Sequence, residues 1–241
     1  DMEEILTISN EFDIPVVEDC AQAIGAECLV GSEKKIAGSM GDFGCFSFFP
    51  SKNLGCIGDG GIITVNNPAI AKLLRLKRVH GGERKYFHKV IGGNFRLDPI
   101  QAKVVRVKLP YLNKWHRLRQ DNANHYNELF LKSGLKENIQ IPFLKHSKSL
   151  TNRHIFNQYV IRAKRRDKLR AYLADRNIAS EIYYPIPFHL QECFNELGLK
   201  NGDFPESERA AQEVLALPVY PGMTFEMRKF VVDNVKEFYL S

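Results

Sequence analysis

Residues 16–26, VVEDCAQAIGA, and residues 41–61, GDFGCFSFFPSKNLGCIGDGG, decide how this chain is read. Val16 and Val17 close a short β-rich run that ends at Glu18 and Asp19, and Met2, Ile5 and Leu6 give helical spacing before it. A helix feeding a buried parallel strand is half of a doubly wound α/β unit. Phe43 to Phe49 reads as a second strand, broken by Pro50 and Ser51 just before Lys52. An acid thus leaves one strand end and a lysine follows the next. Ligands of open α/β sheets bind outside the carboxyl ends of the strands.

Further along, Gly58, Gly60 and Gly61 make a turn into a third strand at residues 62–65, and Asn67-Pro68 opens a basic amphipathic helix to about Arg78. HGGERKYFHKVIGG, residues 80–93, has no clear period and reads as a long hairpin or projecting loop. Apolar spacing on either side of Pro110 predicts one helix ending near Leu109 and another reaching about Leu131, the pair bridging two domains. After a proline- and lysine-rich connection near 142–149, FNQYVIRA, a helix from Lys168 to Arg176, and ASEIYY form a β-α-β unit of a smaller α+β domain. A helix around Ser207–Leu215, a turn at ALPVYPG and a last helix from about Phe225 complete it. The expected division is residues 1–110 for the larger domain and 111–241 for the connecting helix and smaller domain.

Composition excludes several classes. With 44% hydrophobic and 26% charged residues the chain is an ordinary globular one, and no apolar run is long enough to span a bilayer. The first thirteen residues, DMEEILTISNEFD, are acidic and amphipathic rather than signal-like, so a cytoplasmic protein without membrane contact is expected. The five cysteines form no C-x-x-C pair, which points to reduced, mostly buried thiols and no metal cluster. A net charge of +6 suits an anionic small ligand or a solvated surface equally well. The basic stretch with Tyr86, Phe87 and His88 lacks the repeated aromatic platform of a nucleic-acid binder, and no nucleic-acid partner is expected. The glycines of LGCIGDGG follow a loop and precede a strand, the reverse of a dinucleotide fingerprint.

The pair Asp19 and Lys52 matches what pyridoxal phosphate requires at its two ends: a carboxylate beside the ring nitrogen and an amine at the aldehyde. A lysine there loses its proton when desolvated and can attack an aldehyde. Ser47, five residues earlier, offers a hydroxyl to a phosphate oxygen. Each has an ordinary alternative: Asp19 capping a turn, Lys52 on the surface, Ser47 bonded within its sheet. His189, Tyr183 and Tyr184 lie on an extended proline-bounded segment suited to a pocket wall, or, for His189, to a packed structural role.

Taken together, VVEDCAQAIGA, GDFGCFSFFPSKNLGCIGDGG, GGNFRLDPIQA, YYPIPFHLQ and FPESERAAQEVLALPVYP resemble the DegT/DnrJ/EryC1/StrS sugar aminotransferases over essentially the whole chain. The resemblance implies a fold type I pyridoxal phosphate enzyme: α/β, with part of a large domain built on a mainly parallel sheet and a small α+β carboxyl-terminal domain. By it, Asp19 would bind the pyridine nitrogen, Gln22 would lie near the ring hydroxyl, Ser47 would hold the phosphate and Lys52 would be the Schiff-base lysine. Asn94 would reach the cofactor phosphate of a neighbouring subunit in a homodimer with shared sites. Tyr86, His88, Tyr184 and His189 would contact a nucleotide sugar, with glutamate as amino donor. A related dehydratase branch has histidine where Lys52 stands. PSKNLG-x-x-GDGG with N-x-RLD-x-IQA is closer to members acting on a dTDP-linked 3-keto-6-deoxyhexose. Family members carry a further segment before the DMEEIL helix, so the chain reads as a carboxyl portion expected to bind the cofactor weakly alone. A non-catalytic binding or regulatory role and a sugar dehydratase are the alternatives.

Overall fold

The computed structural model describes residues 1–144 and 154–241. The chain divides into two units, one holding Asp1–Arg117 with residues 154–157 and the other Leu118–Leu144 with Gln158–Ser241. The connection expected near 142–149 lies, from residue 145 on, outside the described residues.

In the first unit, helix α1 (Met2–Phe12) ends with Asp13 in the left-handed conformation. It leads to β1 (Val17–Asp19), a hairpin of β2 (Glu27–Val30) and β3 (Glu33–Ile36), then β4 (Phe43–Ser47) and β5 (Gly61–Thr64). β1 pairs with β4 in parallel, setting Asp19 opposite Cys45, while β5 returns antiparallel to β4. The expectation of a mainly parallel sheet is corrected here: the described sheet has one pair of each kind. A parallel return needs a crossover of a dozen or more residues, usually helical, and the residues between β4 and β5 form only a folded-back loop. The β2–β3 hairpin had no counterpart in the sequence reading.

Helix α2 (Pro68–Lys77) starts as Asn67 and Pro68 predict: Asn67 Oδ1 accepts from the N–H groups of Ala69 and Ile70 at 2.9 and 3.3 Å. The stretch 80–93 contains a two-stranded hairpin, β6 (Gly82–Arg84) and β7 (Phe87–His88), and α3 (Pro99–Lys108) follows. The buried cluster of this unit, Phe48, Leu54, Cys56 and Leu112, gathers around the loop after β4. Outside it Cys20, Ile155 and Phe156 are also buried, but many other apolar side chains stay open. No residue of α1, α2 or α3 is fully buried, and a groove of about 950 Å³ runs past Phe46, Ile63, Leu74 and Phe95.

In the second unit, α4 (Leu112–Lys132), inside which the division falls, is followed by β8 (Ile139–Gln140), β9 (Tyr159–Ala163) and α5 (Arg166–Ala174). Then come α6 (Pro205–Glu213), β10 (Val214–Leu217) and α7 (Phe225–Leu240). The sheet is antiparallel in the order β10-β9-β8. This corrects the expected β-α-β unit. ASEIYY supplies only a bridge from Glu181 to Ala216, and β10 takes the place beside β9. The run Val214–Leu217 is apolar and buried at its last three residues, so it outcompetes the half-polar ASEIYY for the place beside β9.

Pro218 ends β10, and the carbonyls that follow need partners. One face of α4 provides them: Tyr126 Oη donates to Pro218 O at 3.0 Å, Arg119 Nη1 to Val219 O at 2.8 Å and Asn122 Nδ2 to Tyr220 O at 2.7 Å. The spacing 119, 122, 126 is that of a single helix face. Buried Arg166 works likewise, donating to Val214 O and Ala211 O at 2.8 and 2.9 Å.

Candidate active site

Val16 N–H and O both bond to residue 42, through Asp42 Oδ2 at 2.7 Å and Asp42 N–H at 2.9 Å, which joins the start of β1 to the entry of β4. Of the three residues of β1, only Glu18 is buried, and Val17 is exposed, contrary to the expected apolar strand. The cause is polar. Glu18 accepts from the backbone N–H groups of Gly38, Met40 and Gly41, each at 2.7 Å. Three donors on one carboxylate stabilise its charge inside the protein. Gly38 is held at φ +84, where an added Cβ would collide with the Phe46 ring.

Glu18 points inward, so Asp19 at the strand end points out, at the carboxyl edge shared by β1 and β4. One carboxylate oxygen, Oδ1, accepts from Ala21 N–H at 3.0 Å. The turn-capping role considered for Asp19 is therefore present, and it occupies half of the carboxylate. Its other oxygen has no partner among the described residues. Next to it Cys20 is buried and its thiol is pushed up to about 11, first by burial and then by the Glu18 and Asp19 carboxylates, so it stays protonated. The thiols as a group are less buried than expected: Cys20 and Cys56 are enclosed, Cys28 and Cys45 partly so, and Cys193 is exposed.

Lys52 follows β4 in a loop closed at its base by Cys56 N–H to Phe48 O and Phe48 N–H to Gly60 O, both 2.7 Å. Its backbone N–H bonds to Phe49 O at 2.9 Å, while its ammonium has no hydrogen bond or ion pair among the described residues. Ser47 Oγ accepts from Phe49 N–H at 3.2 Å, which leaves its own O–H free to donate. Gln22 is exposed in the turn after Asp19. Asn94 bridges to Val79, and its Oδ1 accepts from Arg96 Nε at 2.8 Å, leaving its amide N–H groups as donors.

Tyr86 and His88 stand on the β6–β7 hairpin. Tyr86 sits at φ +70 with Lys85 Nζ 5.0 Å from its ring centre, and Arg84 lies 4.9 Å over Phe87. His88 Nδ1 donates to His80 O at 2.8 Å, which fixes the tautomer and leaves Nε2 outward as an acceptor. Lys89 and Lys72 pair with Glu83 at the hairpin's base and hold that carboxyl below the usual range.

Tyr184 and His189 belong to the second unit. Tyr184 is exposed, and His189 is enclosed: its Nε2 donates to Glu208 Oε1 at 2.9 Å and its ring lies 4.9 Å from that of Phe204. Burial of Glu208 opposes its ionisation, but the bonds from His189 and from the N–H groups of Gly202 and Phe204 outweigh it and lower its pKa.

The donor set at the β1–β4 edge fits a flat anionic heterocycle with a carbonyl. A half-free carboxylate suits a protonated ring nitrogen, an uncommitted amine suits the carbonyl, and a free hydroxyl suits a phosphate. Among the described residues no cluster of three or more His, Cys, Asp or Glu side chains could hold a metal, and no helix is long and apolar enough to cross a membrane.

The pattern of the DegT/DnrJ/EryC1/StrS aminotransferase family matches residues 1–236. The chain belongs to that family. A pleiotropic regulatory protein of Geobacillus stearothermophilus is 43% identical over 99% of this chain and 62% of its own length. The dTDP-3-amino-3,6-dideoxy-alpha-D-galactopyranose transaminase of Aneurinibacillus thermoaerophilus is 38% identical over 99% of the chain and 62% of its own length. Among solved structures, S. venezuelae DesV in complex with a ketimine intermediate superposes with a TM-score of 0.88 at 33% identity, covering 99% of this chain and 61% of that one. The chain thus spans about 62% of the length of these family members.

Local pattern singles out Asp19 and not Glu18. Its signal was there: in a period-two strand, two adjacent acids face opposite ways, so one of them must be turned inward and satisfied.

Proposed function

We propose that this chain carries the lysine and ring-nitrogen carboxylate of a pyridoxal phosphate-dependent sugar aminotransferase. The reaction moves an amino group from glutamate to a nucleotide-linked keto-deoxy sugar, with a dTDP-linked 3-keto-6-deoxyhexose as the favoured acceptor. The observation that supports it best is the pairing of β1 with β4 in parallel, so that Asp19 ends one strand and Lys52 follows the other, each with an uncommitted charged atom. The transaminase name of the 38% identical relative supports the sugar class.

On this reading Asp19, Gln22, Ser47 and Lys52 hold the cofactor, with Asn94 serving the phosphate in a partner subunit of a homodimer. When bound, the cofactor supplies an electron sink beside the carbon that bears the transferred nitrogen. Asp19 keeps a proton on the ring nitrogen through a charge-assisted hydrogen bond. Ser47 donates its O–H to a phosphate oxygen. Lys52 would supply the amine that holds the carbonyl end of the cofactor and, when released from it, would take and return a proton at the substrate carbon. Tyr86, His88 and Tyr184 are the proposed contacts of the sugar nucleotide, and His189, enclosed against Glu208 and Phe204, is left to packing.

Borohydride reduction after addition of pyridoxal phosphate tests this directly. The expected result is a stable adduct mapped to Lys52 and absent from Lys52→Ala. An adduct on a different lysine, or transamination that survives Lys52→Ala, overturns it. The regulatory name of the 43% identical relative favours a second reading, a non-catalytic binding role. Cofactor binding at Lys52 with no glutamate consumed against any dTDP- or UDP-keto sugar would support that reading instead.

A further inference from the structure

The stretch that carries Asn94 continues into α3, where Gln101 has no place in the reading above. Gln101 Oε1 accepts from the N–H of Ile57 at 3.0 Å, and its backbone oxygen accepts from Cys56 Sγ at 3.7 Å. Its Nε2 covers Gly58, where a Cβ would stand only 2.7 Å away, so the amide lies flat on the loop. Two turns along the same face of α3, Lys108 Nζ donates to the carbonyl of Gly55 at 2.6 Å.

The loop these two residues grip is the one that begins at Lys52. After the lysine its residues alternate. Asn53 donates from Nδ2 to Ile155 O at 3.1 Å, Gly55 accepts from Lys108 and Ile57 donates to Gln101, while Leu54 and Cys56 between them are buried in the cluster with Phe48 and Leu112. A segment with no helical or ladder bonds of its own is thereby tied at every second residue. Among the described residues Lys52 itself has only the backbone bond to Phe49. Nothing local aims its amine, so the placement of the loop that carries its Cα must do so. Misplacing a reacting group by about 1 Å can cost on the order of 100-fold.

We propose that Gln101 and Lys108 are positioning residues for Lys52: α3 fixes the loop of residues 53–58 and thereby the point from which the Lys52 amine reaches a carbonyl carbon. The proposal deepens the function proposed above and rests on Lys52 being the cofactor-binding lysine.

The test uses the 241-residue chain and four variants. Gln101→Met keeps length and loses the acceptor, Gln101→Glu keeps the acceptor, Lys108→Met loses the donor and Lys108→Arg keeps it. Each is trapped with limiting pyridoxal phosphate and borohydride and the adducts are mapped, and amide hydrogen exchange across residues 52–57 is followed without cofactor. Both Met variants should lower trapping at Lys52 by roughly tenfold with no change at other lysines. Gln101→Met should speed exchange of the Ile57 amide by roughly fivefold, the effect of one lost hydrogen bond. Gln101→Glu and Lys108→Arg should return towards the parent on both measures. Met variants that trap at Lys52 as well as the parent, or a Glu variant that regains amide protection but not trapping, overturn the inference. A parent chain that forms no adduct at Lys52 instead counts against the proposed function. The exchange experiment then decides alone, and unaltered protection in Gln101→Met overturns the hold of α3 on the loop.

Discussion

In the second unit Ile161, Leu169, Leu215 and Val235 are wholly enclosed between an antiparallel sheet and its helices, whereas in the first Ile8, Val17, Ile62 and Ile63 remain about half exposed, at 49 to 61%. The first unit places its interior differently. It buries the carboxylate of Glu18 under three backbone donors and ties the loop after Lys52 through Asn53, Gly55 and Ile57. Hydrophobic burial stabilises without direction, while hydrogen bonds weaken steeply when bent or stretched. A unit that must aim a carboxylate and an amine is served by the directional kind. Large apolar surfaces left open, such as the groove past Phe46 and Leu74, are typical of faces that meet another surface.

That contrast can be broken by substitution. Leu215→Ala, in the packed unit, should cost about 3 to 4 kcal/mol in denaturant unfolding, from lost transfer energy and the cavity left behind. Glu18→Ala should cost about 2 to 3 kcal/mol by stranding the buried N–H of Gly38 and the part-buried ones of Met40 and Gly41, and it should loosen amide protection at all three. If Glu18→Ala is harmless, the first unit is not held by its polar framework. A smaller effect follows from Glu208, whose folded pKa lies below its ordinary value of about 4.3. A depressed carboxylate adds stability that is present above the unfolded pKa and is lost as pH falls through the folded one. Acid titration of the melting temperature should therefore show a loss below about pH 4.3 that Glu208→Gln removes. Smallest of all, Ile8→Ser on the open face of α1 should change stability by no more than about 0.5 kcal/mol. A loss comparable to that of Leu215→Ala would mean that α1 is buried in solution.

Much of this was legible beforehand, for identifiable reasons. Asn67-Pro68 announces α2 because one side chain and one ring suffice to start a helix. The turn at Pro50 and Ser51 is equally local, although β4 already ends at Ser47, and Asp19 ends β1 while Lys52 lies in the loop after β4. The misses are non-local. By local pattern β10 is the end of a helix and a turn, and ASEIYY a strand, but the competition for the place beside β9 is settled by which run can be buried. The antiparallel return of β5 depends on how the loop after Lys52 folds back. The β2–β3 hairpin, with Glu27 and Lys34 paired at 3.1 Å across it, has no strong period to reveal it. By local pattern His189 suits a pocket wall or a packed place equally, and only Glu208, nineteen residues away, decides for the packed one.

Asp19 and Lys52 show where the boundary lies. Their chemistry, their separation in the chain and their positions after strands are properties of residue type and local pattern, and so was the family resemblance that the match over residues 1–236 bears out. That Glu18 rather than Val17 is turned inward, and that Gln101 and Lys108 hold the loop of Lys52, are matters of groups brought together from 20 to 53 residues apart, or of a strand's rotation against its neighbours. Local pattern encodes torsional preference and period, whereas burial and hydrogen-bond partnership depend on what the rest of the chain sets alongside.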